Sequence, residues 1–142
     1  MKIDIDRLGL TGVQVDPETV FTFPQGLAGF EASKHFKIFH EEGKPTVFWL
    51  QSLEDATLMF PIVAPELLDL EYQIELSDAD VAELGLKTPE DAAVVIMVYR
   101  GDSADGAFSA NTRSPLILNT QTRLGMQKIL QEVQPTLLYR AR

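Results

Sequence analysis

Ala92-Ala93-Val94-Val95-Ile96-Met97-Val98-Tyr99 is the longest apolar run in the chain. Its length is typical of a β-strand, and the lack of polar alternation is typical of a strand buried on both faces. The run is far too short to cross a bilayer, so no membrane partner is expected. It therefore predicts a buried strand within a packed sheet.

Shorter segments on both sides alternate between apolar and polar residues, which is the pattern of strands with one buried face. Turn-forming stretches such as Pro24-Gln25-Gly26 and Asp105-Gly106 separate them. Another segment contains Pro61, and a proline inside a strand predicts a sheet edge or a bulge. Many short strands with turns between them predict a barrel or a sandwich. The predicted strands cover residues 2–6, 19–23, 35–40, 46–51, 58–64, 72–76, 92–99, 116–119 and 128–132.

Short helices are predicted where capping residues precede a brief apolar pattern. Ser77 resembles an N-cap with acids in the following turn, and Gly85 is a stop signal. Thr88-Pro89-Glu90-Asp91 predicts a second turn, with proline at its first helical position. No repeat or linker interrupts the chain. The predicted fold class is mainly β, a small antiparallel β-barrel-like domain with one or two short helices, and residues 1–142 form a single domain.

The net charge of −9 is unevenly distributed along the chain. Residues 66–91 hold nine acids and one base, whereas residues 112–142 hold five bases and one acid. An acidic surface repels phosphate backbones and attracts basic partners, so direct nucleic-acid binding is disfavoured. The acidic stretch either steers a basic partner or simply keeps the protein soluble.

The composition and the N-terminus predict a cytoplasmic protein. There is no cysteine, which excludes disulfides and thiolate metal sites. The N-terminal residues Met1-Lys2-Ile3-Asp4-Ile5-Asp6 alternate and lack the apolar core of a signal peptide. Phosphate-loop, dinucleotide and zinc-hydrolase motifs are missing from the sequence, so no cofactor is predicted.

The sequence offers no positive indication of catalysis. His35 and His40 fall on opposite faces of one predicted strand, which makes a shared metal ion improbable. The pair Glu54-Asp55 fits a solvated turn better than a cleft holding two carboxylates in different environments. We therefore predict that the protein is not an enzyme. A small carboxylate-site enzyme, or another kind of protein-binding β-barrel, remains the alternative.

Three segments together resemble the FliW family of flagellar assembly factors. The first is Phe21-Thr22-Phe23-Pro24-Gln25-Gly26-Leu27-Ala28-Gly29-Phe30-Glu31. The second is Phe48-Trp49-Leu50-Gln51-Ser52-Leu53-Glu54-Asp55, continued by Met59-Phe60-Pro61-Ile62-Val63. The third is Pro115-Leu116-Ile117-Leu118-Asn119 with Thr122-Arg123-Leu124-Gly125-Met126-Gln127. Thr112 and Ser114 depart from the more apolar residues usual in the family just before the third segment.

The resemblance implies a β-barrel-like fold with short helices and a binding role. Members of the family bind flagellin in the cytoplasm. When flagellin is exported they bind the translational regulator CsrA, a small basic RNA-binding dimer, and relieve its repression of flagellin synthesis. Partner exchange would thus couple flagellin synthesis to export. The expected partners of this chain are accordingly CsrA and flagellin.

The family motif comprises Phe23, Pro24, Gly26, Leu27, Gly29 and Phe30. Its glycines are expected at positive φ, and Phe30 is expected to anchor the loop in the core. Phe23, Leu27, Phe30 and Trp49 are also considered as the edge of an apolar groove for flagellin helices. The predicted partner-binding residues form a polar loop group, Gln51, Ser52, Glu54, Asp55, Asn119 and Arg123, and an acidic group for CsrA, Glu66, Asp69, Asp78, Asp80 and Glu83.

Overall fold

The structure is a computed structural model that describes residues 2–5, 10–40, 48–68, 74–100 and 108–130. Antiparallel strands dominate it. The α-helix of this part of the chain is α1 (Asp78–Leu84), and short 3-10 helices lie at Pro17–Thr19, Pro65–Leu68 and Pro89–Asp91. The strands are β1 (Lys2–Ile5), β2 (Leu10–Gln14), β3 (Val20–Thr22), β4 (His35–His40), β5 (Phe48–Ser52), β6 (Met59–Val63), β7 (Ala92–Arg100), β8 (Phe108–Ala110), β9 (Leu116–Asn119) and β10 (Gly125–Gln127).

One curled sheet contains all strands except β1 and β2, which pair with each other. Its order is β10-β9-β7-β6-β5-β4-β3, and β8 pairs with β7 beside this path. The two ends of the sheet meet at an isolated parallel bridge between Thr22 and Leu124. We call this meeting point the seam. The predicted mainly β, barrel-like fold is therefore confirmed.

Strand β7 connects the halves of the sheet, as its unbroken apolar sequence predicts. Its first half pairs with β9, from Ala92↔Asn119 to Val95↔Leu116. Ile96 and Met97 then pair with β6 on the other edge, and the end of the strand pairs with β8. Ile96 is fully buried, and the residues around it are partly buried without alternation. β7 is hydrogen-bonded to neighbouring strands along both edges and is at least partly buried over residues 92–98. This explains why its sequence lacks alternating polar residues.

The core lies inside the curled sheet. Phe23 and Phe36 meet edge to face with ring centroids 5.5 Å apart. Burying each side chain of this kind contributes about 1.5–3 kcal/mol. A smaller apolar cluster forms around Val15 and Met59, with Trp49 partly buried against it. The main cluster consists of Phe23, Leu27, Phe36, Leu50, Ile62, Leu116 and Leu118.

Helix α1 follows the capping signals of its sequence. The Ser77 hydroxyl accepts a hydrogen bond from the Asp80 N–H at 3.0 Å, and the Asp80 carboxylate accepts one from the Ser77 N–H at 3.1 Å. Gly85 ends the helix at φ 65°, a left-handed conformation that glycine adopts without steric cost. The predicted second turn is the 3-10 helix Pro89–Asp91. Both helical predictions are confirmed.

Several strand predictions need correction. β6 is not an edge strand, because it lies between β5 and β7; its ladder to β7 begins only at Ile62, one residue after Pro61. The last strand is Gly125–Gln127 rather than residues 128–132, of which 128–130 are irregular and 131–132 lie outside the described residues. Residues 74–76 are also irregular, and 72–73 are not described. The sequence patterns missed β2, β8 and β10.

Candidate functional site

The first and third motif segments meet at the seam. The Thr22 N–H donates to the carbonyl of Arg123 at 2.9 Å. The Ala28 N–H donates to the side-chain oxygen of Gln127 at 2.8 Å. A Cβ atom at position 125 would lie 2.6 Å from the Phe23 ring, so the glycine there gives the ring its space. Segments from opposite ends of the sheet are thereby fixed to each other.

The first motif segment continues from β3 into a hydrogen-bonded loop along this seam. Gly26 and Gly29 have φ values of 68° and 86°, which confirms the prediction of positive φ. The Glu31 carboxylate accepts a hydrogen bond from the Gly29 N–H at 2.7 Å. Turn formation at Pro24 is also confirmed, because the Gly26 N–H donates to the Phe23 carbonyl at 2.8 Å. Glycine conformations and local hydrogen bonds thus define the path of the loop.

The aromatic residues of the loop do not take the places predicted for them. Phe23 is fully buried, at 0% exposure, so it cannot edge a groove; Leu27 is 1% exposed and lines a cavity of about 290 Å³ together with Phe30. Phe30 is 43% exposed and meets Phe60 edge to face at 5.2 Å. It does not anchor the loop in the core. Trp49 packs in the smaller cluster instead, so the predicted groove of four apolar residues is wrong.

Glu54 of the second segment holds the start of β4. Its Oε1 accepts hydrogen bonds from the N–H groups of Lys34 and His35, both at 3.0 Å, and its Oε2 lies 2.7 Å from His35 Nδ1. Burial opposes ionisation of this carboxyl, but the hydrogen bonds from His35 and Lys34 outweigh it and lower the pKa of Glu54. Glu54 is therefore an ionised acceptor that fixes a strand connection.

The turn after β5 uses its other polar residues in the same way. The Ser52 hydroxyl accepts hydrogen bonds from the N–H groups of Glu54 and Asp55 at 3.1 and 3.0 Å. Asp55 accepts hydrogen bonds from the hydroxyl and the N–H of Thr57 at 2.6 and 2.9 Å, and these bonds lower its pKa. The predicted role of Asp55 in a turn is confirmed.

Three members of the polar loop group are inaccessible. Gln51, Ser52 and Asn119 are 0–1% exposed. Asn119 donates to the Leu84 carbonyl at 2.8 Å and accepts from the N–H of Gln121 and of Thr122 at 2.8 and 3.1 Å, so it joins the end of α1 to the loop after β9. The expectation that these three side chains contact a partner is corrected, because buried amides and hydroxyls bind the backbone that buries them.

Arg123 and Glu54 share a cavity at the seam but not an ion pair. The Arg123 guanidinium donates to the backbone carbonyls of Glu18 and Gln121 and not to the carboxylate of Glu54. Arg123 has φ 60°, an uncommon value for a residue with a Cβ. The cavity has a volume of about 640 Å³ and is lined by Val15, Val20, Thr22, His35, Leu53, Glu54, Thr122 and Arg123.

The acidic group spreads over the 3-10 helix after β6 and over α1. Glu66 and Asp78 are exposed, Glu83 is partly buried, and Asp69 lies outside the described residues. Asp80 is not available as a free charge, because Lys128 Nζ lies 2.6 Å from its Oδ2. The hydrogen bond from Lys128 lowers the pKa of Asp80. This ion pair connects α1 to the segment after β10.

Replacing Asp80 with Asn is expected to lower the free energy of unfolding by about 1 kcal/mol at pH 7, the usual scale for a helix cap. Because the folded pKa of Asp80 is lowered, its contribution is complete above the unfolded value of about 3.9 and is lost as pH falls through the folded pKa. Urea unfolding of both proteins at pH 7 and near pH 2 measures this. A difference that does not shrink in acid would contradict the assignment.

The carboxylates of the site are not arranged for general acid–base catalysis. Glu54 and Asp55 both have lowered pKa values and are committed to backbone or hydroxyl donors. A catalytic pair instead needs environments that push the two pKa values apart. Within the described residues, no three His, Asp or Glu side chains cluster in a way that could hold a metal ion.

Comparison with known proteins decides the family. The FliW protein family matches residues 4–140, nearly the whole chain. The chain belongs to the FliW family. The flagellar assembly factor FliW of Chromobacterium violaceum is 42% identical over 137 residues, covering 90% of this chain and 92% of the relative. That of Azoarcus sp. (strain BH72) is 40% identical over an alignment of 147 residues, covering 100% and 99%.

The fold agrees with that assignment. A crystal structure of the flagellar assembly factor FliW superposes with a TM-score of 0.81 at 26% identity, covering 94% of this chain and 92% of that one. FliW proteins are assembly factors and not enzymes, which agrees with the prediction from the residues. Within the described residues, no helix is long and apolar enough to cross a membrane.

Sequence reasoning missed the residues that complete these contacts. His35 pairs with Glu54, Lys128 pairs with Asp80, and Gln127 bonds the motif loop. The Lys128–Asp80 pair could have been suspected from opposite charges, but each pair joins distant parts of the chain. Only the strand order brings them together.

Proposed function

We propose that this FliW protein binds flagellin in the cytoplasm and, when released, binds CsrA and relieves its repression of flagellin synthesis. The observation that carries the proposal is the match to the FliW family over residues 4–140, together with relatives named as flagellar assembly factors. The exchange of partners comes from the resemblance of the three motif segments, of which the first and third meet at the seam.

The charge distribution supports a basic second partner. Residues 66–91 carry a net charge of −8, from nine acids and one base. Of these acids, Glu66, Glu75, Asp78 and Glu90 are exposed. A concentrated exposed charge accelerates encounter with a partner of opposite sign and makes binding sensitive to salt. A basic RNA-binding protein has the required sign.

The proposal is tested by titrating CsrA from the same organism into the purified protein, alone and after saturation with flagellin. We expect binding of CsrA that weakens as salt increases, and loss of that binding once flagellin occupies the protein. Isothermal calorimetry measures both. Binding to neither partner would refute the proposal.

The same titrations distinguish simultaneous binding of CsrA and flagellin from exchange of one for the other. If CsrA binds equally well with and without flagellin, the two partners occupy independent sites and do not compete. The exchange mechanism would then be wrong, although both binding activities would stand. Size-exclusion chromatography of the ternary mixture distinguishes a three-component complex from two binary ones.

A further inference from the structure

A second, apolar groove runs beside α1. Its volume is about 460 Å³, within the range of about 300–1,000 Å³ typical of ligand sites. Ile74 and Leu76 precede the helix on one wall, and Val81 and Leu86 form another. The floor includes Val94 of β7 and Ile117 of β9.

The side of the groove that α1 forms is exposed to solvent. Val81 is 36% exposed although it is apolar. Ile129, 61% exposed, follows Lys128, which is bound to Asp80 on the same helix. Apolar side chains that remain exposed beside a groove are typical of interaction surfaces.

The rim of the groove is acidic. Glu75 stands between the lining residues Ile74 and Leu76, and Glu90 follows the lining residue Pro89; both carboxylates are exposed. Asp78 is exposed at the start of α1. Against these acids the lining includes one base, Lys87. An apolar channel with an acidic border complements a segment with an apolar stripe and flanking bases.

The strands at the base of the groove limit the secondary structure that the partner segment can have. Val94 is paired with Ile117, and Ala92 is paired with Asn119, so these backbone groups already belong to a ladder. A partner strand could not extend the sheet at these positions and would have to bind through side chains. An amphipathic helix binds in this way, through apolar residues at positions i, i+3, i+4 and i+7.

We infer that the groove between α1, β7 and β9 is the docking site for a basic amphipathic helix of a partner protein. The inference rests on the proposed function, since CsrA is the basic partner proposed there. It adds a location and a mode of recognition. The apolar stripe of the helix fills the groove, while its bases face Glu75, Asp78 and Glu90.

The first test replaces the exposed wall residue. Val81→Arg fills the groove entrance with a cation, and it is expected to weaken CsrA binding by about tenfold or more, as loss of a central contact does. Leu67→Arg is the matched control, because Leu67 is 51% exposed and does not line the groove. It is expected to change the Kd less than about twofold. Unaltered urea unfolding of both variants shows that each still folds.

The second test concerns charge. Glu90→Lys is expected to slow association with CsrA about three- to tenfold at low salt, whereas Glu18→Lys, an equal charge change at an exposed site outside the groove, has a smaller effect. Stopped-flow measurements at two salt concentrations compare them. Equal effects of the two charge changes would show that the overall charge alone steers CsrA, and would contradict docking of its bases at the rim of this groove.

The outcomes separate this inference from the proposed function. If the parent binds CsrA and Val81→Arg binds as well as Leu67→Arg, the groove is not the docking site, but the proposed function stands. If the parent binds neither CsrA nor flagellin, both proposals are overturned. Weakening confined to Val81→Arg and Glu90→Lys supports the groove and a basic helix within it.

Discussion

Phe23→Ala is expected to lower the free energy of unfolding by about 3–5 kcal/mol, the usual cost of truncating a buried phenylalanine. The Phe23 ring is fully buried, contacts Phe36 edge to face, and fills the space above Gly125 at the seam. Its removal leaves a cavity where the two ends of the sheet meet. Urea unfolding monitored by circular dichroism measures the loss, which is a large part of a typical stability of about 5–15 kcal/mol.

Phe30→Ala is the matched control within the same motif. Phe30 is 43% exposed, and its main aromatic contact is with Phe60. We expect a loss of about 1 kcal/mol, because an exposed ring forfeits little burial and one aromatic contact. Equal losses from the two substitutions would show that Phe23 does not have the central position described for it.

Gly26→Ala is expected to cost about 2–5 kcal/mol. A side chain at positive φ costs about 1–2 kcal/mol, and overpacking adds about 1–3 kcal/mol. Gly26 has φ 68°, and a Cβ atom there would lie 2.7 Å from the Cα of Glu31. The obstacle is backbone, so relief requires that the loop itself move. Thermal and urea unfolding both report the effect.

Gly29→Ala isolates the conformational part of this cost. Gly29 has φ 86°, but a Cβ atom there would meet nothing within 4 Å. We expect a loss of about 1–2 kcal/mol from the backbone conformation alone. The difference between the two variants therefore measures the steric clash with Glu31. No difference would mean that the loop relaxes freely at Gly26.

Local signals predicted those parts of the fold whose cause is local. β4 runs from His35 to His40, as its alternation predicts, and α1 begins and ends at its capping residues. β10 was missed because its cause lies elsewhere. Gly125 is placed by the Phe23 ring and by pairing with β9, whereas the apolar residues just after it gave the stronger local pattern.

In the candidate site, too, features determined by neighbours in sequence were predicted, and features determined by distant contacts were not. The glycine conformations and the Asp55 turn depend on neighbours in sequence and were predicted. Burial of Gln51 and Asn119 was not, because an amide side chain usually indicates surface. Asn119 is buried because its side chain forms hydrogen bonds both to the carbonyl at the end of α1 and to a backbone N–H of the loop after β9. Phe30 is the converse case, since nothing in its local sequence distinguishes an exposed phenylalanine from a buried one.

The seam also has a consequence for how the chain folds. The hydrogen bond from Ala28 to Gln127 joins residues 99 positions apart. Contacts between such distant residues form slowly, because the intervening chain must first lose much of its conformational entropy. Until then the ends of the sheet lack the contacts of the seam, and their free backbone edges can associate with other chains. We therefore expect nascent copies to be most prone to aggregation between collapse of the apolar core and formation of the seam.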